Sequence, residues 1–148
     1  MGKYPIIFLN FRCNVPILSY EQAVDLCKDA VHVAYKEHAY LLDSNLHSDS
    51  KELCRRWISN LQYNDFKETN VKEGIKNLSE YVSNHFGSKY FALIDEYDSI
   101  CAHAAFNIEK SRVVNNIIQF ANGVLNTLIN NNKHVERGFL TGISQICS

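Results

Sequence analysis

The stretch that most constrains this chain is Tyr90-Phe91-Ala92-Leu93-Ile94, an apolar run that gives way at once to Asp95-Glu96-Tyr97-Asp98. A run this short, rich in aromatic and branched residues and preceded by Gly87, predicts a strand buried on both faces, the pattern of a parallel sheet lined with helices. In open α/β sheets ligands bind in the crevice outside the carboxyl ends of the strands, and Asp95, Glu96 and Asp98 stand where this strand runs out. Carboxylates placed there lose hydration unless a positive or hydrogen-bonding group meets them, so a divalent cation is one natural occupant. In an extended backbone Asp95 and Glu96 point to opposite faces, so one could hold a cation or its water while the other orients a second water. The competing reading is that the chain is leaving the core or capping the next helix, and this stretch alone does not choose between the two.

Tyr4 to Phe11 is a second continuous apolar run and predicts a second buried strand, with Pro5 tolerated at its start. Ser19 and Gln22 have the spacing of a capping box ahead of Ala23, Leu26, Cys27, Ala30, Val31 and Ala34, which places a helix from about Tyr20 to His38. Leu53, Trp57, Ile58 and Leu61 form the apolar stripe of a short helix. Val71, Ile75, Leu78, Val82 and Phe86 do the same for a third, which Gly87 ends. Residues 99–104 are small and fit a loop or a weak helix equally, and a long helix follows from about Ile108 to Asn130. Gly138 to Ser144 is a third strand candidate. If it lies parallel beside the Asp95 strand, Thr141 and Ser144 reach the same edge as the carboxylates, where hydroxyls could orient a water or a phosphate oxygen. A turn closing a strand accounts for each of them taken singly.

With 148 residues and 46% hydrophobic content, the chain can bury a core of its own and reads as one domain. Fifteen basic residues against sixteen acidic give a formal charge of -1, so no global basic field points to nucleic acid or an anionic membrane. The five cysteines are odd in number and show no C-x-x-C spacing, which argues against a disulfide framework or a zinc site and for reduced, mostly buried thiols. The apolar run Ile6 to Leu9 is cut short by Asn10 and Arg12, and nothing approaches a membrane-spanning length, so an intracellular protein is expected. Cys101 and His103 lack a third group that would make them nucleophile and base, and no H-E-x-x-H or dinucleotide fingerprint occurs.

Three separated pieces, Lys3 to Phe11, Phe91 to Asp98 and Gly138 to Ile143, together resemble the AAA-ATPase-like family, P-loop ATPase domains that in many members precede a nuclease-like domain. The resemblance implies an α/β fold: part of a P-loop NTPase, three-layer α/β/α, with a short parallel sheet. It also implies Mg²⁺ and ATP as cofactors. By position, Asp95 is similar to the Walker B aspartate that serves Mg²⁺, Glu96 to the acid that polarises the attacking water, and Thr141 to the polar sensor on the neighbouring strand. Asp98 matches the motif without an assigned role. Two departures stand out. No G-x-x-x-x-G-K-[ST] occurs, and in the family that segment lies upstream of the Tyr-Pro strand, so residues 1–148 read as a single domain incomplete at its N-terminus and not competent in hydrolysis alone. Gln145 stands where many relatives carry an arginine.

The family sheet further implies that the edge beside Leu140 and Thr141 is unpaired, which invites self-association or a protein partner. The expected strand order has the Asp95 strand in the centre. Two other functions fit the residues: a non-catalytic interaction module using the open edge or the long helix, and a metal-dependent phosphohydrolase built on Asp95, Glu96 and Asp98.

Overall fold

Short branched and aromatic runs make the strands, and longer stripes of period 3.6 make the helices that cover them. In the computed structural model, which describes residues 4–142, the strands are β1 (Ile6–Asn10), β2 (Tyr90–Asp95) and β3 (Val135–Leu140). The helices are α1 (Tyr20–Glu37), α2 (Ser48–Ile58), α3 (Glu68–Phe86), α4 (Ser99–Asn107) and α5 (Ser111–Ile129), with single 3-10 turns at Ala39–Asp43 and Gln62–Asp65. All pairing is parallel and the order is β1-β2-β3, so the Asp95 strand is central as expected. Asn10 lies level with Asp95, and Leu140 with Ile94.

Parallel crossovers are right-handed as a rule, and two such steps in the same direction across a sheet lay the connecting helices on the same face. Accordingly α1, α3 and α5 pack on β1, β2 and β3 in turn and on one another. Under them Ile7, Leu9, Tyr90, Ala92 and Ile94 are at most 1% exposed. The alternate residues, Phe8, Phe91 and Leu93, are only half-buried, and Phe91 meets Tyr4 and Phe139 at ring distances of 4.7 and 6.0 Å. The burial of β2 therefore alternates, where the unbroken apolar run suggested two equally covered faces. Among the described residues no helix is long and apolar enough to cross a membrane.

Several boundaries move for local reasons. α2 ends at Ile58, which leaves Leu61 outside the stripe and 81% exposed. Residues 99–104, undecided from pattern, are helical, and α5 begins at Ser111 rather than Ile108. α3 closes on Gly87 in the left-handed region, φ 63°, as its position suggested. β3 starts at Val135, before Gly138; Ile143, Ser144 and Gln145 lie outside the described residues. Cys13, Cys27 and Cys54 are free thiols. Cys101 is disulfide-bonded, which corrects the expectation of reduced cysteines at that position.

Candidate functional site

The parallel register gathers the carboxyl ends of all three strands at one edge, and the polar residues of the chain's most distinctive run collect there. Asp95 is the last residue of β2. Its backbone carbonyl accepts from Phe11 N–H at 3.1 Å, which ties it to the end of β1. From the other side, Thr141 Oγ1 donates to Asp95 Oδ1 at 2.5 Å. Thr141 is itself fixed through both backbone groups: its N–H bonds Ile94 O at 2.9 Å, and its carbonyl accepts from Tyr97 N–H at 3.0 Å. A short bond between a hydroxyl and a carboxylate orients one oxygen of Asp95 and leaves the second for another partner.

Glu96 does not continue the strand. Its φ is 52°, a left-handed backbone held by a residue other than glycine, and Ser99 N–H closes the turn on its carbonyl at 3.0 Å. Such conformations cost free energy and persist only where the surroundings fix them. The expectation of an extended Asp95-Glu96 pair pointing to opposite faces is corrected: strand alternation stops at Asp95, and a turn sets the direction of Glu96. Asp98 is fully buried at the N-cap position of α4. Gly142 packs against this turn so closely that a Cβ there would stand 2.5 Å from the Tyr97 ring and 2.8 Å from Asp98 Oδ1. The Thr-Gly pair thus has a physical reason: a hydroxyl is needed at 141 and no side chain fits at 142.

Two groups at this edge were not singled out from sequence. Cys13, in the loop after β1, is a half-buried thiol that contacts Phe11 O at 3.7 Å. Burial pushes its pKa up; a hydrogen bond with Ser99 opposes this and the charge of Glu96 adds to it. Cys13 is therefore a neighbour of Ser99 and Glu96, brought to their turn by the β1–β2 pairing although it is far from them in the chain. The one signal available was the position of Cys13, three residues past a strand that ends level with Asp95.

Among the described residues no group of three or more histidines, cysteines and acids is arranged to hold a metal ion. A carboxylate such as that of Asp95 is a donor that suits Mg²⁺, which keeps several waters and binds through one or two carboxylates together with phosphate oxygens. A cleft of about 580 Å³ lies among Tyr20, Glu68, Lys72 and Gln119, on the helical side of the sheet. A second of about 650 Å³ lies between His47 and His85. Neither is lined by Asp95, Glu96 or Thr141.

The sequence matches a family described as predicted AAA-ATPase over residues 2–148. The chain belongs to the AAA-ATPase-like family. No curated protein and no solved structure matches it. For this AAA-ATPase-like domain the match spans all three strands, including the turn at Asp95 to Asp98 and the Thr141-Gly142 pair that packs on it.

Proposed function

We propose that the carboxyl edge of this sheet is the metal and water side of an ATP site. Asp95 holds Mg²⁺ through the oxygen that Thr141 leaves available. Glu96 polarises the attacking water from its turned backbone, and Thr141 fixes Asp95 and reports on the phosphate end of the ligand. The observation that carries this reading is the Thr141 to Asp95 bond across two strands, beside a glutamate held in a strained turn. Bound Mg²⁺ would supply charge neutralisation on the phosphate oxygens. The chain's own part is to orient that ion's waters and to place one carboxylate beside them. No G-x-x-x-x-G-K-[ST] occurs in the 148 residues, so the reading assigns them no phosphate cradle and no independent hydrolysis. Isothermal titration with Mg²⁺ and ATP tests it. A saturable signal lost in Asp95→Ala is expected, and a wild-type protein that shows no saturation with millimolar nucleotide overturns it.

A second reading, a non-catalytic interaction module on the same fold, is favoured by β3, whose residues from Glu136 to Leu140 are all exposed. It would use protein contacts at a sheet edge and no nucleotide. Light scattering over a concentration series addresses it, and a strict monomer that binds nucleotide speaks against it.

A further inference from the structure

We propose that the face of the sheet opposite α1, α3 and α5 is a docking site for one amphipathic helix of a partner chain, lying antiparallel to the strands with its amino end at Asp95. The described residues leave that face uncovered. Ile7, Leu9, Tyr90, Ala92 and Ile94 point to the helices, and Gly138, level with Ala92, meets Ile129 of α5. Side chains alternate along a strand, so Ile6, Phe8, Phe91, Leu93 and Phe139 point the other way. Ile6 is 49% exposed, Phe139 46%, and Tyr4, whose ring meets Phe91, 40%. A sheet face built for water carries polar residues at its outward positions, and parallel sheets are as a rule covered on both faces. Here the outward positions stay apolar or aromatic along β1 and β2 until the last level, where Asn10, Asp95 and Thr141 take over.

The face has the dimensions of a single helix. Three strands place the outer two about 10 Å apart, close to the diameter of a helix with its side chains, and five or six residues of strand run about 17–20 Å, the length of roughly twelve helical residues. Its relief is concave. At the middle level the larger side chains of Phe8 and Phe139 flank Leu93 on either side. A trough therefore follows β2 and takes the apolar stripe of a helix, residues at i, i+3, i+4 and i+7.

Charge fixes the direction. Arg137 lies level with Phe91 and Lys89 precedes β2, both exposed, so cations mark the amino end of the face, and Asp95 stands at the other end. A helix carries partial positive charge at its amino end and partial negative charge at its carboxyl end, so the antiparallel lie matches both. It is also the direction of the crossover helices α3 and α5, each of which returns the chain to the start of a parallel strand. A second copy of this sheet, face to face, would set the ridges of Phe8 and Phe139 against each other and leave the trough at Leu93 unfilled.

The probe is a synthetic peptide of about fourteen residues with leucine at i, i+3, i+4, i+7 and i+11, lysine in its first turn and glutamate in its last; alone it is largely unfolded at that length. The titration is run without Mg²⁺ or nucleotide, so its outcome does not depend on the reading of Asp95 given above. A saturable gain of helical signal in the difference circular dichroism spectrum is expected, with a dissociation constant below about 1 mM. A nitroxide at the amino end of the peptide should broaden the amide signals of Asn10, Asp95 and Thr141 and spare those of Tyr4 and Arg137. Leu93→Lys puts a charge in the trough and is expected to raise the dissociation constant about tenfold or more. Phe106→Lys, at an exposed position of α4, should leave it unchanged. If Leu93→Lys does not fold, Phe139→Lys, at a more exposed position of the same face, gives the reading. No saturation, or binding indifferent to the folded variants, overturns the docking site, and broadening at the Tyr4 end overturns the direction. Sedimentation velocity on the protein alone completes the test: a dimer that Leu93→Lys separates assigns the face to a second copy and overturns the proposal.

Discussion

At its amino end β2 presents Tyr90, fully buried, whose hydroxyl donates to Leu128 O at 2.6 Å and lies 3.2 Å from Ser79 Oγ. Burial pushes that phenol up to about 12, so it stays a neutral donor over the ordinary pH range. At its carboxyl end the same strand presents Asp95, half-buried and hydrogen-bonded to an exposed Thr141, and then a left-handed Glu96. The lower end satisfies its polar atoms within the core and has no left-handed residue in the strand, although its ladder to β3 shifts register between Tyr90 and Phe91. The upper end holds charge near solvent and carries strain. Residues spent on stability and residues available for chemistry are thus separated along one strand, as parallel sheets with helices packed on them generally allow.

The comparison breaks most visibly at the lower end. Tyr90→Ala removes a buried ring beneath α3 and α5 and is expected to cost about 3–5 kcal/mol in urea unfolding. Tyr90→Phe keeps the ring but leaves Leu128 O without its donor, at about 1–3 kcal/mol. Both should leave nucleotide or metal titrations of the still-folded fraction unchanged. A Tyr90→Phe protein with altered ligand affinity would mean that the two ends are coupled and the separation is wrong.

Much of this arrangement was legible in the sequence, and the parts that were not have identifiable causes. The runs at Ile6 and Tyr90 announced parallel strands because burial leaves little room for polar residues, and Gly87 marked the end of α3 because its backbone needs a positive φ. The α4 helix was ambiguous because it is short and nearly uniform in polarity, with Cys101 and Ala104 buried and few charges to define an outer face. The start of β3 at Val135-Glu136-Arg137 was missed because an exposed edge strand has no buried face to impose alternation. The turn at Glu96 carries no glycine, so nothing in the sequence announced its left-handed backbone. Cys13 and Ser99 meet only through the pairing of β1 with β2, a relation that local pattern does not contain.

The upper end is tested next by steric means. Gly142→Ala brings a methyl against the Tyr97 ring and Asp98 and should cost about 1–3 kcal/mol, with Thr141 drawn away from Asp95. Weaker Mg²⁺ and ATP binding than in wild type is expected alongside the lost stability. A fully tolerated alanine would show that the strand end is looser than its contacts imply. A smaller effect of opposite sign is expected for Glu96→Gly. Relief of the left-handed strain outweighs the entropy that glycine adds to the unfolded chain, for a gain of about 1 kcal/mol in unfolding free energy. The same change removes the carboxylate assigned to water, so turnover in any ATPase-competent context should fall while stability rises. A destabilised Glu96→Gly would mean that the carboxylate itself holds the turn.

The smallest effect, and the finest probe of the upper end, is the reactivity of Cys13. Its pKa is raised, so at pH 8 a smaller fraction is thiolate than in a free cysteine, and iodoacetamide should modify it more slowly than a cysteine in a short peptide. Cys27 and Cys54 are buried and should react later still. Because the charge of Glu96 adds to the shift, Glu96→Gln lowers the pKa and should speed alkylation roughly a few-fold; loss of the Ser99 hydrogen bond in Ser99→Ala should slow it by a similar factor. The rate should climb with pH, reaching its plateau above the ordinary thiol range. Mass-spectrometric mapping of the labelled peptide follows all three proteins. Identical rates in wild type and Glu96→Gln would place the glutamate's charge away from Cys13, and with it the side-chain direction on which its proposed role with water depends.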